Sequence, residues 1–271
     1  MSTNEPKQTK AEKREAARAA REQASAAEQA AAERKRRLWI LGGLGAVIVA
    51  VVIGVVAAQG GGGSTDTSKP PNGAAEVNEM FKGVPQQGNV AGKPTAPLTL
   101  VEFADLKCPV CRQFDVGSMP TIIEKYVKTG KLRIDIRLLH FVGEQQNPGD
   151  SEQAARFAAA AASQNKMWPF VQLFYFNQQD ETTDYVNDSY LTWLGDAVGI
   201  DSKKALADSE SKKVTAQLGT WAKQFADNSF TGTPSFLLGK TGGELKPFQA
   251  SGAYDNPESF TIQIDEALKG N

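Results

Sequence analysis

The feature that most constrains the fold of this 271-residue chain is its pair of cysteines, Cys108 and Cys111, the only two it contains. They follow a β-rich, mostly apolar run at residues 98–105, LTLVEFAD, and open a stretch that can be helical. At a helix N-terminus, unpaired N–H groups and the helix dipole stabilise an anion, so Cys108 is predicted to be the nucleophile. Pro109 suits the first helical position. Cys111 lies on the same helix face within disulfide reach and is the natural resolving thiol.

Two other uses of the cysteine pair stay open on the sequence. A permanent disulfide would close a loop of four residues, which restrains the unfolded chain by only about 1.9 kcal/mol, against about 4.7 kcal/mol for a hundred-residue loop. A zinc site lacks ligands, because His140 is the single histidine, and a carboxylate or a second chain would have to complete it. The spacing therefore favours a redox-active disulfide between Cys108 and Cys111, with no metal and no other cofactor.

An uncharged apolar run at residues 38–58 predicts a single transmembrane helix. As a helix it would extend about 31 Å, which matches the hydrocarbon thickness of a bilayer. Basic residues occupy positions 34–37, whereas residues 59–67 contain no Lys or Arg, so the N-terminus is expected in the cytoplasm and the catalytic domain outside it. A cleaved signal peptide, with Val56 and Ala58 before the cut, is the alternative, and it also exports the domain.

The rest of the chain divides by composition. Residues 1–37 form a charged, Ala-rich cytoplasmic tail that lacks the apolar positions of a coiled coil, so a solvated helix or disorder is expected. Residues 59–76 have the Gly, Ser and Pro content of a flexible linker, and residues 77–271 are expected to form the folded domain. The formal net charge is −1, and no basic patch indicates a nucleic-acid partner.

The folded domain alternates strand and helix patterns in an informative order. Residues 98–142 predict a βαβ unit, a helical block follows at about 144–229, and two strands at 235–239 and 245–252 precede a last helix at 257–268. This order describes an α/β sheet core that carries an all-helical subdomain. The helical block contains aromatic residues that are predicted to be core rather than a peptide groove: Trp168, Phe170, Phe174, Tyr175 and Phe176.

Over about residues 90–270 the chain resembles the DsbA-like branch of the thioredoxin superfamily. VEFADLKCPVCRQF is similar to that family's strand, active-site and helix segment, AARFAAAAASQNKMWPFVQLFYFNQ to its inserted helical domain, and TGTPSFLLG to its proline loop and following strand. The resemblance implies a thioredoxin fold with an inserted helical subdomain. It also implies an extracytoplasmic protein disulfide oxidoreductase of the membrane-anchored bacterial type.

The resemblance also assigns site residues. Residues Thr233 and Pro234 alone favour an ordinary trans turn before a strand, whereas the family implies a cis-proline loop packed against the cysteines. Glu102 stands where the family carries a buried acid that passes protons to or from Cys111, and the alternative is a strand residue facing water. Pro109 and Val110 form the active-site dipeptide. The family's best-known oxidases carry His between the cysteines, and Val110 removes that charge. A structural or surface role is expected for His140.

These features lead to three functional hypotheses. The first is a dithiol oxidase that introduces disulfides into reduced exported proteins and works as a monomer. The resemblance then implies a membrane reoxidase, DsbB-like or vitamin K epoxide reductase-like, that restores its disulfide. The second is a reductase or isomerase of the same fold, in keeping with Thr233 before the proline, which is also seen in isomerase-type relatives. The third is a membrane-tethered binding or chaperone module with a structural disulfide.

Overall fold

A mixed sheet forms the centre of the computed structural model, which describes residues 65–143 and 149–270. Its strands are β1 (Gln86–Gln87), β2 (Val90–Ala91), β3 (Leu98–Asp105), β4 (Leu132–Leu139), β5 (Ser235–Lys240) and β6 (Leu245–Phe248). The strand order is β1-β2-β4-β3-β5-β6. Strands β3 and β4 are parallel and the other neighbouring pairs are antiparallel. Every residue of β3 is buried, since it lies between β4 and β5 with both faces covered.

Helices cover both faces of the sheet. They are α1 (Ala74–Met80), α2 (Pro109–Gln113), α3 (Met119–Ile122), α4 (Asp150–Ala161), α5 (Met167–Phe176), α6 (Asp188–Ala197), α7 (Ser202–Ser209), α8 (Lys212–Asp227) and α9 (Glu258–Lys269). Helices α4 to α8 fall between β4 and β5, where the sequence predicts the helical subdomain. Residues 144–148, at its predicted start, lie outside the described residues.

The helix that follows the cysteines widens twice. Helix α2 continues into a π-helical turn at Phe114–Ser118, and α3 continues into a second one at Ile123–Val127. Pro120 has no N–H to donate to the carbonyl of Val116, four residues earlier, and its ring displaces that carbonyl. The first π turn therefore lies just before the proline, and it sets the direction of the side chains that follow Cys111.

The aromatic residues of the helical subdomain are core, as the sequence predicts. Trp168, Phe170, Phe174 and Tyr175 are fully buried, and Phe176 at the end of α5 is half-buried. The indole N–H of Trp168 donates to the backbone carbonyl of Asn89 at 2.9 Å, so the largest of these side chains also has its polar group paired.

The folded domain begins earlier than residue 77, where the composition places its boundary. Val77 is already a fully buried residue of α1. Before it, Asn72 exchanges two hydrogen bonds of 2.9 Å with the side-chain amide of Asn177, and the indole N–H of Trp193 donates to the carbonyl of Lys69 at 2.6 Å. In these contacts, side chains that are distant in sequence bind the backbone of the segment before Val77. The Pro and Gly content of that segment therefore does not predict them.

The predictions for the tail and for the apolar run at 38–58 concern residues outside the described part of the chain. Between residues 65 and 270, none of the described helices combines the length and hydropathy that crossing a bilayer requires.

The two faces of β3 serve different parts of the core. Leu100 and Ala104 join the main core with Cys111, whereas Val101 and Phe103 pack in a second cluster. Because side chains alternate along a strand, Glu102 points to the main core, on the side of α2. This register brings a carboxyl group beneath the cysteines.

We expect Phe260→Ala in α9 to lower the free energy of unfolding by about 3–5 kcal/mol, because it empties a fully buried position. The Phe260 ring lies 4.6 Å from that of Phe114 and 5.4 Å from that of Phe236, between centroids. Ile262→Ala in the same helix is the matched control: Ile262 is 54% exposed, so a change within about 0.5 kcal/mol is expected. Equal losses in urea denaturation would contradict this account of the core.

Candidate active site

Cys108 caps the N-terminus of α2. Its backbone is extended, with φ −73° and ψ 119°, and its Sγ accepts the backbone N–H of Cys111 at 3.4 Å. Pro109 is the first helical residue, where its missing N–H would have had no helical partner. The local sequence thus produces the predicted arrangement, in which a sulfur atom faces the open N–H groups of a helix.

The two thiols have opposite electrostatic environments. The pKa of Cys108 is lowered to about 7, first by a hydrogen bond from the Cys111 thiol, against the opposing effect of burial. Thr233 and the backbone N–H groups of Cys111 and Val110 lower it further. Burial raises the pKa of Cys111 well above its usual range, and the nearby Cys108 raises it again. At neutral pH, about half of Cys108 is therefore present as a thiolate, whereas Cys111 keeps its proton.

The loop before β5 reaches the cysteines from far along the chain. The peptide bond between Thr233 and Pro234 is cis, as the family resemblance implies, and Pro234 is buried. The carbonyl oxygen of Thr233 lies 3.4 Å from Cys108 Sγ and accepts the thiol S–H. Thr233 also lowers the pKa of Cys108, and its hydroxyl has no hydrogen-bond partner in the described residues.

Glu102 is buried, with a side chain only 1% exposed, so the alternative of a strand residue facing water is wrong. Neither carboxyl oxygen receives an N–H or O–H donor from the described residues. Burial raises the pKa of Glu102 well above its usual range, and the charges of Asp115 and Cys108 raise it further. Glu102 can therefore hold a proton at a pH where an exposed glutamate is ionised.

Asp115 is a site residue that sequence analysis missed. It lies in the π turn after α2, four residues beyond Cys111, and its side chain is fully buried. Burial raises the pKa of its carboxyl group well above the usual range. The signal was present in the sequence, since an acidic residue between Phe114 and Val116 and one turn after Cys111 shares the helix face that covers β3.

The end of α5 holds the turn that carries the cysteines. The hydroxyl of Tyr175 donates to the carbonyl of Asp105 at 3.1 Å. The side-chain amide of Gln178 donates to the carbonyls of Leu106 at 2.7 Å and Cys108 at 3.1 Å. The helical subdomain thus binds the backbone of the active-site turn directly.

A buried ion pair lies immediately before Cys108. Lys107 Nζ is 2.6 Å from an Asp150 carboxylate oxygen and donates to the carbonyl of Thr183 at 2.8 Å. The two charged side chains are 0% and 4% exposed. Removing one partner of such a pair leaves an uncompensated buried charge, which destabilises the fold. Each of the two charged side chains therefore needs the other in order to be buried.

Two residues discussed from the sequence take smaller parts. Val110 is half-buried, packs against the main core and offers Cys108 its backbone N–H. His140 follows β4 and is half-buried, and it makes none of the hydrogen bonds that hold the cysteines and the active-site turn.

Comparison with known proteins identifies the family. The profile described as thioredoxin matches residues 85–250. A curated relative from Bacillus cereus, "Probable disulfide bond formation protein D", is 32% identical over 198 residues, which is 71% of this chain and 83% of the relative. The chain belongs to the DsbA-like thiol-disulfide oxidoreductases. It is a protein disulfide oxidoreductase, and the relationship expected from its three motifs is confirmed.

Solved structures confirm the thioredoxin fold of this oxidoreductase. Oxidised BdbD from Bacillus subtilis aligns with a TM-score of 0.58 at 21% identity, covering 69% of this chain and 98% of the other. A variant of α-DsbA1 from Wolbachia pipientis, with two of its cysteines replaced by alanine, aligns with a TM-score of 0.56 at 20% identity, covering 72% and 96%.

We expect iodoacetamide to alkylate the reduced oxidoreductase at Cys108 with a rate that rises with pH and levels off above a midpoint of about 7. Only the thiolate reacts, so the rate follows the ionised fraction of Cys108. Cys111→Ala removes the first cause of the lowered pKa, and the midpoint should move to higher pH. Cys108→Ser should lose the reaction. A midpoint at the ordinary thiol value, about 8.5, in the unmodified protein would contradict this description.

Proposed function

We propose that this oxidoreductase is an extracytoplasmic dithiol oxidase that introduces disulfides into exported proteins through Cys108 and Cys111. The observation that carries the proposal is the asymmetry of the two thiols. One is the helix-capping sulfur with a pKa of about 7, and the other is fully buried with a raised pKa. A pair built in this way has a good nucleophile and leaving group at Cys108 and a protected resolving group at Cys111.

The exchange proceeds in two steps. A substrate thiolate attacks Cys108 Sγ, the disulfide breaks, and its electron pair leaves on Cys111 Sγ, which then takes up a proton. The second substrate thiolate attacks the substrate sulfur in the mixed disulfide and releases Cys108 as a thiolate. The substrate loses two electrons and its thiol protons, and the enzyme disulfide gains the electrons. The lowered pKa of Cys108 favours its departure in the second step.

The remaining site residues have assigned roles in this proposal. Glu102 passes protons to and from Cys111, since it is the buried acid whose charge acts on that thiol. Thr233 and Pro234 present backbone to the substrate chain, because the Thr233 carbonyl already lies beside Cys108 Sγ. Pro109 and Val110 shape the helix start that stabilises the thiolate. The cysteine pair itself is the redox centre, with no metal or other cofactor.

The proposed setting follows from the sequence and the relatives. Residues 38–58 would anchor the monomer by a single pass, with the N-terminus in the cytoplasm and the catalytic domain outside. The curated bacterial relatives named disulfide bond formation protein D support work on exported substrates. Each turnover leaves the cysteines reduced, so a membrane reoxidase, DsbB-like or vitamin K epoxide reductase-like, would restore the disulfide.

One observation favours a second candidate, a reductase or isomerase of the same fold. A pKa of about 7 for Cys108 is near that of the thioredoxin nucleophile, whereas DsbA's is about 3.5. A less stabilised thiolate makes the disulfide a weaker oxidant. Val110, which supplies no charge between the cysteines, acts in the same direction.

Thiol exchange itself is tested by two single-atom changes. Cys108→Ser should lose insulin reduction and the refolding of a reduced, scrambled substrate, because no nucleophilic sulfur remains. Cys111→Ser should accumulate mixed disulfides with substrates at Cys108, visible on non-reducing gels, because the resolving thiol is absent. Full activity of Cys108→Ser would overturn exchange at this residue and favour a binding module with a structural disulfide.

The direction of transfer is tested by the reduction potential of the full-length protein, equilibrated with glutathione at pH 7. We expect a value toward the oxidising end of the family's range, between about −180 mV for protein disulfide isomerase and about −120 mV for DsbA. A value near −270 mV, that of thioredoxin, would reject the oxidase and support the reductase. Val110→His should move the potential in the oxidising direction, and Ile262→Ala, at an exposed position of α9, should leave it unchanged.

A further inference from the structure

Two carboxyl groups meet inside the core beneath the cysteines. Glu102 comes from β3 and Asp115 from the π turn after α2, and both side chains are buried, at 1% and 0% exposure. Neither carboxyl group receives an N–H or O–H donor from the part of the chain that the structure describes. The two carboxyl groups are neighbours in the core, and each acts on the pKa of the other.

A hydrogen bond between two carboxyl groups requires a proton on one of them, because a carboxylate has only acceptor oxygens. Two charged carboxylates in contact within a low-dielectric core are strongly unfavourable, so such a pair keeps at least one proton at neutral pH. The raised pKa of each group agrees with this reasoning.

The titratable groups around the pair offer no positive charge to stabilise a second carboxylate. From the N-terminal side of α2 these are the thiols of Cys108 and Cys111, and from α5 the phenol of Tyr175. Each of these groups becomes negative when it ionises. The Tyr175 hydroxyl is also occupied, since it donates to the carbonyl of Asp105. The charge on the thiols therefore influences the protonation of the pair. Among the described residues, no cation holds the pair in its ionised state.

We propose that Asp115 is a positioning residue for thiol exchange: it shares one proton with Glu102, and the two carboxyl groups together form a proton reservoir for Cys111. This inference rests on the proposed exchange at Cys108 and Cys111. With one shared proton, the pair has both a proton to give and an oxygen free to accept one. Without Asp115, Glu102 would keep the rise in pKa that its burial causes but would lose the part that the neighbouring carboxyl adds.

The reservoir serves both directions of the reaction. When a substrate thiolate bonds to Cys108 Sγ, the departing Cys111 thiolate takes the shared proton, and the pair regains one from solvent. When Cys111 attacks a mixed disulfide instead, its thiol proton moves to the free oxygen of the pair. The new Cys108–Cys111 bond then forms as the substrate leaves as a thiolate. In each direction the proton lost by one group is the proton gained by the other.

The test uses the mixed disulfide between Cys108 and glutathione in the full-length chain. Release of glutathione by Cys111 is measured by rapid acid quench across the range of about pH 5 to 9. Asp115→Asn should shift the midpoint of this pH profile downward, since Glu102 loses the neighbouring carboxyl that raises its pKa. The release rate at neutral pH should fall at least about ten-fold, because Glu102 becomes a weaker base.

Four further variants separate the reservoir from a structural role. Asp115→Glu keeps the carboxyl pair and should restore the profile of the unmodified protein. Glu102→Gln should abolish the midpoint, and adding Asp115→Asn to it should cause no further loss, because Asp115 acts through Glu102. Asp115→Ser repeats the comparison with a smaller neutral side chain in case the amide prevents folding. An unchanged midpoint in both neutral variants, or additive losses in the double variant, would overturn the proposal.

An independent readout is the pH dependence of stability. Because the pair has raised pKa values in the folded state, its contribution to stability is largest at low pH and is lost as the pH rises. Asp115→Asn should therefore flatten the fall in unfolding free energy with rising pH, and an unchanged slope would also overturn the reservoir. If Cys111 releases no glutathione even in the unmodified protein, the proposed exchange itself fails, which distinguishes the two outcomes.

Discussion

The hydrogen bonds around the turn between β3 and α2 are the constraint on which the rest of the site depends. Asp105 closes β3 and accepts the N–H groups of Phe141 and Val142 at 2.8 and 2.9 Å and the Ser151 hydroxyl at 2.6 Å. Gln178 binds the carbonyls on the other side of the turn. Held between the sheet, α4 and the end of α5, the turn has little freedom, so Cys108 stays at the helix start where its sulfur meets open N–H groups.

The parts of this arrangement that sequence could predict are those that depend on neighbours along the chain. The strand LTLVEFAD matches β3 residue for residue, and Pro109 begins α2 as its missing N–H suggests. The cis bond before Pro234 and the burial of Glu102 needed the family resemblance, because the local residues favour or allow another state. For both, the deciding contacts come from elements far away in sequence.

Other features were out of reach for a physical reason. Lys107 looks like an ordinary surface residue until Asp150 and the carbonyl of Thr183 surround it. Val77 lies in a helix that begins within the segment whose composition predicts a linker. Asp115 is an intermediate case. Its spacing from Cys111 predicts the helix face on which it lies, but its proximity to Glu102 could be predicted only by knowing that Glu102 faces the same side of the sheet. Spacing along a helix predicts a shared face, whereas pairing across elements depends on register.

The long separation between the cysteines and the groups that tune them also bears on biogenesis. Cys108 leaves the ribosome well before Tyr175 and Gln178, and before Thr233, which lies 125 residues further along the chain. Until these residues are synthesised and the helical subdomain docks, neither the burial of Cys111 nor the contact from Thr233 exists. During synthesis the two thiols behave as ordinary cysteines, and the reactive centre forms only with the last strands of the fold.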